Sequence, residues 1–352
     1  MKTVALTGAR KFEVLEIPKP EIVNEDDILL KVSSVGICGS DLHYYRQGRI
    51  GEQIIQFPFT VGHECSAIVE KVGAAVKGLK PGDLIAVEPA LSCHKCQQCL
   101  SGREHTCLNQ KFLGAPGQRD GCLAEYIVMP ESNCFVVPEN VNEEQAALIE
   151  PMSIGYYAVS LAYRQAGFIK NPIEINSVAI LGVGPIGLGV QLSLQAEGIN
   201  NIYVTDKLNY RLVAAKKAGA VETGNPDEED IVSRFTTENP DLFDLVFECC
   251  GEQDAMDQAI ELLKPGGTLS IVGIPEVDRI SFDISKIRRK EITIQNVRRQ
   301  NNSMQPCIDL TSSGKWCPQF MITHRFPFDK TIEAFDTVSN YKDGVIKGLI
   351  KF

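Results

Sequence analysis

A glycine-rich turn between an apolar strand and a helix constrains the fold of this chain more than any other feature. Residues 182–187 read G-V-G-P-I-G, directly after the apolar run 177–181 and at the start of a helical pattern at 186–196. A second apolar run follows at 202–205. Strand, tight turn, helix and strand in this order predict a βαβ unit, which places the two strands parallel in one sheet.

The same alternation continues on both sides of this unit. Further helices are predicted at 153–166 and 210–218, and further strands at 242–247 and 268–272, the last after a turn at 264–267. Strands that lack a polar face must be covered on both sides. The chain from residue 153 onward therefore predicts a parallel sheet with helices on each face, which is the α/β part of the fold.

The glycine turn has the properties of a dinucleotide-binding loop. Its glycines let the backbone approach a pyrophosphate, and the helix N-terminus offers unpaired N–H groups to the phosphates. Asp206, about 20 residues further on, can accept hydrogen bonds from ribose hydroxyls, which favours NAD over NADP. Arg211 keeps NADP open, because an arginine can accommodate the 2′-phosphate. The predicted cofactor-binding residues are Gly182, Gly184, Pro185, Ile186, Gly187, Asp206, Arg211, Val272, Gly273 and Ile274.

The first 150 residues show a different pattern. Short apolar runs separated by turn residues predict strands at 28–35, 67–72, 84–87 and 126–129. Repeated short strands of this kind indicate a β-rich, barrel-like domain. After residue 295 strands and helices no longer alternate regularly. One helix is predicted at 331–338 and a closing strand at 348–352. A chain of 352 residues with two such patterns predicts two domains.

Four cysteines lie close together in the β-rich part of the sequence. Cys93, Cys96, Cys99 and Cys107 have the spacing C-x2-C-x2-C-x7-C. Four thiolates at this spacing can surround one ion tetrahedrally, which predicts a closed structural zinc site. An iron–sulfur cluster is the competing interpretation, although the third gap is long and Leu108 rather than proline follows the last cysteine. A redox-active Cys-x-x-Cys pair would leave two cysteines unexplained.

Composition and charge restrict the partners. The formal net charge is −10 and the sequence pI is about 5.2, so phosphate backbones and anionic lipid surfaces are repelled. The most apolar run, 178–194, is interrupted by glycine and proline, and residues 1–20 lack the apolar core of a signal peptide. We therefore expect a soluble cytoplasmic protein without nucleic-acid or membrane partners.

A second, scattered set of polar residues matches a known family. The matching stretches are 36–45 (GICGSDLHYY), 48–51 (GRIG), 61–64 (VGHE), 147–151 (ALIEP), 323–327 (THRFP) and the glycine turn. Together these motifs resemble the zinc-dependent medium-chain alcohol dehydrogenases over essentially the full length of the chain. Within that family the sequence is most similar to the sorbitol (L-iditol or xylitol) dehydrogenase branch.

The resemblance implies an architecture and a metal content. Residues 1–152 and 295–352 would form a GroES-like catalytic domain that carries the cysteine lobe, with the Rossmann domain at 153–294 and the active site in the cleft. It implies two zinc ions per subunit, one structural and one catalytic. The catalytic ion would be held by Cys38, His63 and a carboxylate, either Glu64 or Glu150. The resemblance further implies a homo-oligomer, a tetramer or else a dimer.

The resemblance also implies a reaction. Zinc would bind a secondary hydroxyl of a polyol and lower its pKa, and hydride would pass to NAD to give a ketose. Ser40 and His43 match positions that relay the released proton. The residues expected around the substrate are Tyr44, Phe112, Glu150 and Arg298.

Three alternatives remain open at this point. L-Threonine 3-dehydrogenase shares the residues of the catalytic set and the cysteine spacing, and a sugar-phosphate or inositol-type dehydrogenase would use Arg298 and Arg299 as an anion site. A zinc- and NAD-binding sensor without turnover is disfavoured by the intact set Cys38, Ser40, His43 and His63.

Overall fold

The computed structural model describes residues 1–166 and 175–352. Its strands are Lys2–Gly8 (β1), Lys11–Glu16 (β2), Asp27–Gly36 (β3), Arg49–Ile50 (β4), Gln53–Ile54 (β5), Glu64–Val72 (β6), Leu84–Val87 (β7), Ala90–Leu91 (β8), Lys111–Phe112 (β9), Tyr126–Pro130 (β10), Cys134–Val136 (β11), Val178–Leu181 (β12), Ile202–Thr205 (β13), Glu222–Gly224 (β14), Phe243–Glu248 (β15), Leu263–Ile271 (β16), Thr293–Asn296 (β17), Ile322–Pro327 (β18) and Lys347–Lys351 (β19).

The α-helices of the same residues are Gly39–Gln47 (α1), Gln97–Leu100 (α2), Glu143–Ala166 (α3), Pro185–Ala196 (α4), Asn209–Lys217 (α5), Ile231–Glu238 (α6), Gln253–Leu262 (α7), Ile284–Lys290 (α8), Met304–Ser312 (α9) and Thr331–Ser339 (α10). In this part of the chain, no helix combines the length and the apolar character that crossing a membrane would require.

The chain divides into two compact units. The first contains Met1–Pro151 and Met304–Phe352, and the second contains Met152–Ser303. The C-terminal segment joins the first unit because β19 pairs antiparallel with β3 and parallel with β18. β17 pairs with β16, so the second unit continues past residue 294.

A seven-stranded sheet organises the first unit. Its order is β11-β7-β6-β3-β19-β18, with β10 also paired to β3. The long strand β3 is the centre of this arrangement, and Gly36 near its end lies opposite Glu64 of β6 and Leu349 of β19. Apolar side chains from these strands form one core, which includes Leu30, Ile85 and Ile350. The sheet therefore brings residues from both ends of the sequence to one place.

The second unit confirms the predicted parallel sheet. Its six strands run in the order β14-β13-β12-β15-β16-β17, and every pairing is parallel. β12, β13 and β15 are buried at every residue, as strands covered by helices on both faces must be. The strand order reverses between β12 and β15, which is the place where doubly wound sheets bind ligands.

Two local predictions are wrong. The helix expected from residue 153 begins at Glu143, and Pro151 lies inside it. Asn142 explains the early start, because its Oδ1 accepts from the Gln145 N–H while the Gln145 Oε1 accepts from the Asn142 N–H, both at 2.9 Å. The turn expected at 264–267 is an irregularity within β16, whose register against β15 shifts at this point.

Candidate active site

Cys38 lies at the junction between β3 and the helix α1. It is the N-cap residue of α1, and its backbone N–H donates to Oδ2 of Asp41 at 3.2 Å. The Ser40 hydroxyl donates to the Cys38 sulfur at 3.3 Å. The sequence forms a helix start here because Asp41 occupies the third helical position, from which an acidic side chain can reach back to the cap. Cys38 is half-buried, so its sulfur is available to a ligand.

The Asp41 side chain contacts both the Cys38 segment and the His63 segment. Its side chain is fully buried, and Oδ1 accepts from the Gly62 N–H at 3.1 Å and lies 3.4 Å from Nδ1 of His63. A carboxylate on one imidazole nitrogen orients the other nitrogen toward a metal. The sequence interpretation did not assign Asp41 a role, although its position three residues after Cys38 is a capping signal.

The surroundings of His63 shift the pKa of its imidazole in both directions. Burial lowers the pKa of the imidazole, but the Asp41 carboxylate and the Cys38 sulfur together raise that pKa well above its usual value. The ring also packs 5.3 Å from the ring of Phe112, measured between centroids. His63 thus lies between the Asp41 carboxylate, the Cys38 thiol and the Phe112 ring.

The two candidate glutamates have different surroundings. Glu64 begins β6 and forms a buried ion pair with Lys347, which begins β19, at 2.7 Å. Burial lowers the pKa of Lys347, but Glu64, Cys38 and Glu150 raise it, and the balance lies above the ordinary value. Burial raises the pKa of Glu150 to about 8, while His63 lowers it and Glu64 and Glu88 raise it. Lys347 was also absent from the sequence-based prediction.

The charge balance of this cluster fits a divalent cation. Buried acids outnumber the cationic groups His63 and Lys347; they are Asp41, Glu64, Glu88 and Glu150. Thiolate, imidazole and carboxylate are also the ligand types of catalytic zinc. Among the described residues, the group whose ligand atoms all lie within 4.8 Å of one another is the four-cysteine set, not this one. The catalytic ligand set therefore stays a prediction.

Replacing Asp41 tests the support of His63. We expect Asp41→Asn to weaken metal retention by about 10- to 100-fold, the usual effect of losing an outer-shell carboxylate. An amide also cannot accept from both backbone N–H groups and from His63 with the same strength. Metal content after dialysis measures the effect, with the exposed Asp120→Asn as the control. Unchanged metal retention in Asp41→Asn would contradict this role.

Of the relay and substrate residues predicted in the first unit, Ser40, His43 and Tyr44 lie on α1, Phe112 lies on β9 and Glu150 lies on α3. Ser40 and His43 are three positions apart on α1 and share a face, with His43 half-buried. Tyr44 is buried, and its hydroxyl donates to Oε1 of Gln53 at 3.0 Å. Arg298 belongs to the second unit, where it is exposed two residues after β17 ends at Asn296.

The cysteine lobe fits one tetrahedral ion. The sulfurs of Cys96 and Cys99 are 3.5 Å apart, and those of Cys96 and Cys107 are 3.9 Å apart. Metal–sulfur bonds of about 2.3 Å in a tetrahedron separate the sulfurs by about 3.8 Å. The backbone N–H of Cys93 donates to the Cys107 sulfur at 3.3 Å. Backbone N–H groups lower the pKa of Cys93 to about 6, and burial raises that of Cys99 to about 12.

The glycine turn forms a cradle at the carboxyl end of β12. Gly182 has φ +92°, and a Cβ at Gly187 would overlap the Gly182 carbonyl oxygen. Gly184 is the N-cap of α4 and Pro185 its first residue, so the helix N-terminus starts at the turn. The absence of side chains leaves room for a pyrophosphate close to the backbone.

Asp206 lies beside this cradle. Its Oδ2 accepts from the Val183 N–H at 3.0 Å, and its Oδ1 accepts from the Leu208 N–H at 2.9 Å. Arg211 lies 3.5 Å from Oδ2 and covers Gly184. The predicted residues of the next loop follow β16: the N–H groups of Val272 and Gly273 donate to the Glu248 carbonyl, and Ile274 is exposed.

Comparisons with known proteins agree with this geometry. Residues 24–139 match the alcohol dehydrogenase GroES-like domain, and residues 185–313 match the zinc-binding dehydrogenase family. Sorbitol dehydrogenase of Bacillus subtilis is 35% identical over 99% of this chain and 97% of its own length. D-xylulose reductase A of Aspergillus niger is 34% identical over 95% and 92%.

A solved structure gives the same result. Galactitol-1-phosphate dehydrogenase from Escherichia coli superimposes with a TM-score of 0.89 at 29% identity, covering 100% of both chains. The predicted GroES-like and Rossmann fold class is confirmed, and so is an oxidoreductase that acts on CH–OH donors with zinc and a nicotinamide cofactor. The chain belongs to the zinc-dependent medium-chain alcohol dehydrogenases, close to the sorbitol dehydrogenase branch.

Proposed function

We propose that this enzyme is a polyol dehydrogenase that oxidises a secondary hydroxyl of a sorbitol-, L-iditol- or xylitol-type substrate to a ketose, with NAD as the oxidant. The observation that carries the proposal is the site around the buried His63, which lies beside the Asp41 carboxylate and the half-buried Cys38 sulfur and interacts electrostatically with the buried Glu150. The named activities of the relatives, sorbitol dehydrogenase and D-xylulose reductase, support the substrate class.

Each residue has a physical task in this proposal. Zinc, when bound, supplies Lewis-acid polarisation of the substrate hydroxyl, and NAD accepts the hydride. Asp41 orients His63 toward the metal. Ser40, whose hydroxyl donates a hydrogen bond to the Cys38 sulfur, would accept the proton of the substrate hydroxyl and release its own proton to His43. The Tyr44 hydroxyl, whose proton is donated to Gln53, offers its oxygen to a substrate hydroxyl.

We also propose two zinc ions per subunit, the second in the site of Cys93, Cys96, Cys99 and Cys107. The sulfur separations and the N–H donors to these sulfurs support a closed structural site. The homotetramer and the cytoplasmic location stay predictions.

A substrate panel tests the function. NADH formation is measured with sorbitol, xylitol, L-iditol, galactitol, inositol, L-threonine and galactitol 1-phosphate, each with and without a zinc chelator. We expect chelator-sensitive turnover on an unphosphorylated polyol. Turnover on L-threonine alone, or on the phosphate ester alone, would replace the proposed substrate class and keep the metal chemistry.

Asp206 is expected to set the preference for NAD. In Asp206→Ala, the carboxylate that would bind the ribose hydroxyls is lost, and Arg211 loses its acidic partner and can meet a 2′-phosphate. The ratio of kcat/KM for NAD to that for NADP should fall by about 10- to 100-fold, the value of one or two hydrogen bonds to a charged group. Asp227→Ala, which removes an exposed partner of Lys207, is the matched control. An unchanged ratio would contradict the assignment.

A further inference from the structure

A short hairpin packs against the end of α1 directly after that helix ends. Gly48, with φ +69°, is the C-cap of α1, and its N–H donates to the Tyr44 carbonyl at 2.9 Å. Glycine suits this left-handed backbone, which turns the chain straight into β4. β4 and β5 pair antiparallel, and the Ile55 N–H donates to the Gly48 carbonyl at 2.9 Å. The position of the hairpin is therefore fixed relative to the last turn of α1.

The alternation of side chains along β5 and the residue after it turns Gln53 inward. Ile54 is 65% exposed, whereas Ile55 is 5% exposed and belongs to the apolar core of the first unit. Neighbouring residues of a strand point to opposite sides, so Gln53 shares the side of Ile55. Gln53 is half-buried there, and its Oε1 accepts from the Tyr44 hydroxyl at 3.0 Å. The hairpin thus places a polar amide on its inner side.

The hydrogen bond to Tyr44 determines what the Gln53 amide can offer to a ligand. A phenol has one proton, and Tyr44 donates it to Oε1, which directs the amide nitrogen away from the ring. In residues 1–166 and 175–352, no group accepts from Nε2 of Gln53. Its two N–H groups can donate, while a hydroxyl oxygen such as that of Tyr44 can accept. Donors beside an acceptor are complementary to an alcohol, which does both, and less so to an ionised carboxylate, which only accepts.

This pair lies on the face of α1 that carries the predicted relay. Ser40 and Tyr44 are four positions apart, so their side chains are neighbours on the helix surface. The Ser40 hydroxyl donates to the Cys38 sulfur, where the reacting hydroxyl of the substrate would bind. Four residues of helix advance about 6 Å along the axis, a length that an extended chain of several carbons covers. The pair is therefore within reach of a second hydroxyl of the same substrate molecule.

We infer that Gln53, held by Tyr44, is a specificity-determining residue that donates to a substrate hydroxyl several carbons from the hydroxyl that is oxidised. The inference rests on the proposed function, since it concerns the substrate of that site. It narrows the substrate class to an uncharged carbon chain that carries hydroxyls at both places. Alcohols without the distant hydroxyl gain nothing from Gln53.

One isosteric variant and two kinds of substrate test the inference. Gln53→Met keeps an unbranched side chain of similar length and removes both hydrogen-bonding groups. Xylitol and sorbitol carry distant hydroxyls, whereas 2,3-butanediol has only two neighbouring ones. We expect kcat/KM for xylitol and sorbitol to fall by about 10-fold, chiefly through KM, because one or two neutral hydrogen bonds are lost. We expect kcat/KM for 2,3-butanediol to stay unchanged.

A distorted hairpin would give a different result, because it would impair all three substrates together. An equal loss on 2,3-butanediol, or unchanged kinetics with both polyols, would overturn the inference. Gln56→Met is the matched control, since Gln56 is exposed and lies three residues further along the same segment. It should match the wild type with every substrate.

A double-mutant cycle tests the link between the two side chains. Tyr44→Phe removes the hydrogen bond that holds the Gln53 amide, so it should also lower kcat/KM for xylitol. In Tyr44→Phe/Gln53→Met, the loss should be smaller than the product of the two single losses, because both act on one contact. Losses that multiply fully would contradict the holding of Gln53 by Tyr44.

The outcomes distinguish this inference from the proposed function. A wild-type enzyme that oxidises no unphosphorylated polyol would refute the proposed function, and the inference with it. A wild-type enzyme that oxidises 2,3-butanediol as efficiently as xylitol and sorbitol would leave polyol oxidation intact and refute the inference alone.

Discussion

Replacing Cys38 by serine is expected to reduce the rate of polyol oxidation by about 1,000-fold or more. The loss of Lewis-acid stabilisation raises the activation free energy by several kcal/mol. Serine has nearly the shape of cysteine, and its hydroxyl is a weak ligand at neutral pH. The backbone N–H of Cys38 still donates to Asp41, so the helix start is retained. Turnover of NAD with the preferred polyol measures the effect, together with zinc content.

The control for this variant is Cys317→Ser, which changes an exposed cysteine that belongs neither to the four-cysteine site nor to the candidate active site. It should keep the activity and both zinc ions. Cys38→Ser should keep the wild-type circular dichroism spectrum and one zinc ion per subunit. Full activity in Cys38→Ser would show that the half-buried thiol beside His63 has no catalytic role.

The second large effect is expected in the cysteine lobe. Cys107→Ser removes the sulfur that accepts from the N–H groups of Cys93 and Asn109, at 3.3 and 3.4 Å. Loss of the metal would remove the bonds that hold the three remaining cysteines together, on a segment with few buried apolar side chains. We expect the melting temperature to fall by on the order of 10 °C, with zinc reduced to one ion per subunit.

This second variant should lose stability before it loses catalysis. The apolar core of the first unit does not include the lobe cysteines, so its sheet should persist. Thermal unfolding followed by circular dichroism, with Cys317→Ser as the control, measures the change. A melting temperature and zinc content equal to those of the wild type would contradict a structural metal in the lobe.

Local patterns predicted the second unit well. The glycine turn, β12, α4 and β13 each have a signal within a few residues, and the parallel sheet follows from strands that are apolar on both faces. The start of α3 was missed because the Asn142–Gln145 cap precedes the change in apolar spacing that marked residue 153. A capping pair is a short signal that periodicity does not contain.

The candidate site was predicted only in part. Cys38, His63, Glu64 and Glu150 came from the family motifs, and their roles stay predictions. Asp41 could have been found from its capping position after Cys38. Lys347 has no local signal, because its contact with Glu64 joins residues 283 positions apart through the pairing of β19 with β3. Sequence spacing cannot show a contact that depends on sheet topology.

The most direct test of the central claim is NAD reduction by the preferred polyol before and after removal of the metal. The enzyme is assayed as purified, after chelation and dialysis, and after zinc is added back. We predict that chelation abolishes NADH formation and that zinc restores it, in step with occupancy of the Cys38 and His63 site. NADH formation that persists in metal-free enzyme would contradict a zinc-dependent polyol dehydrogenase.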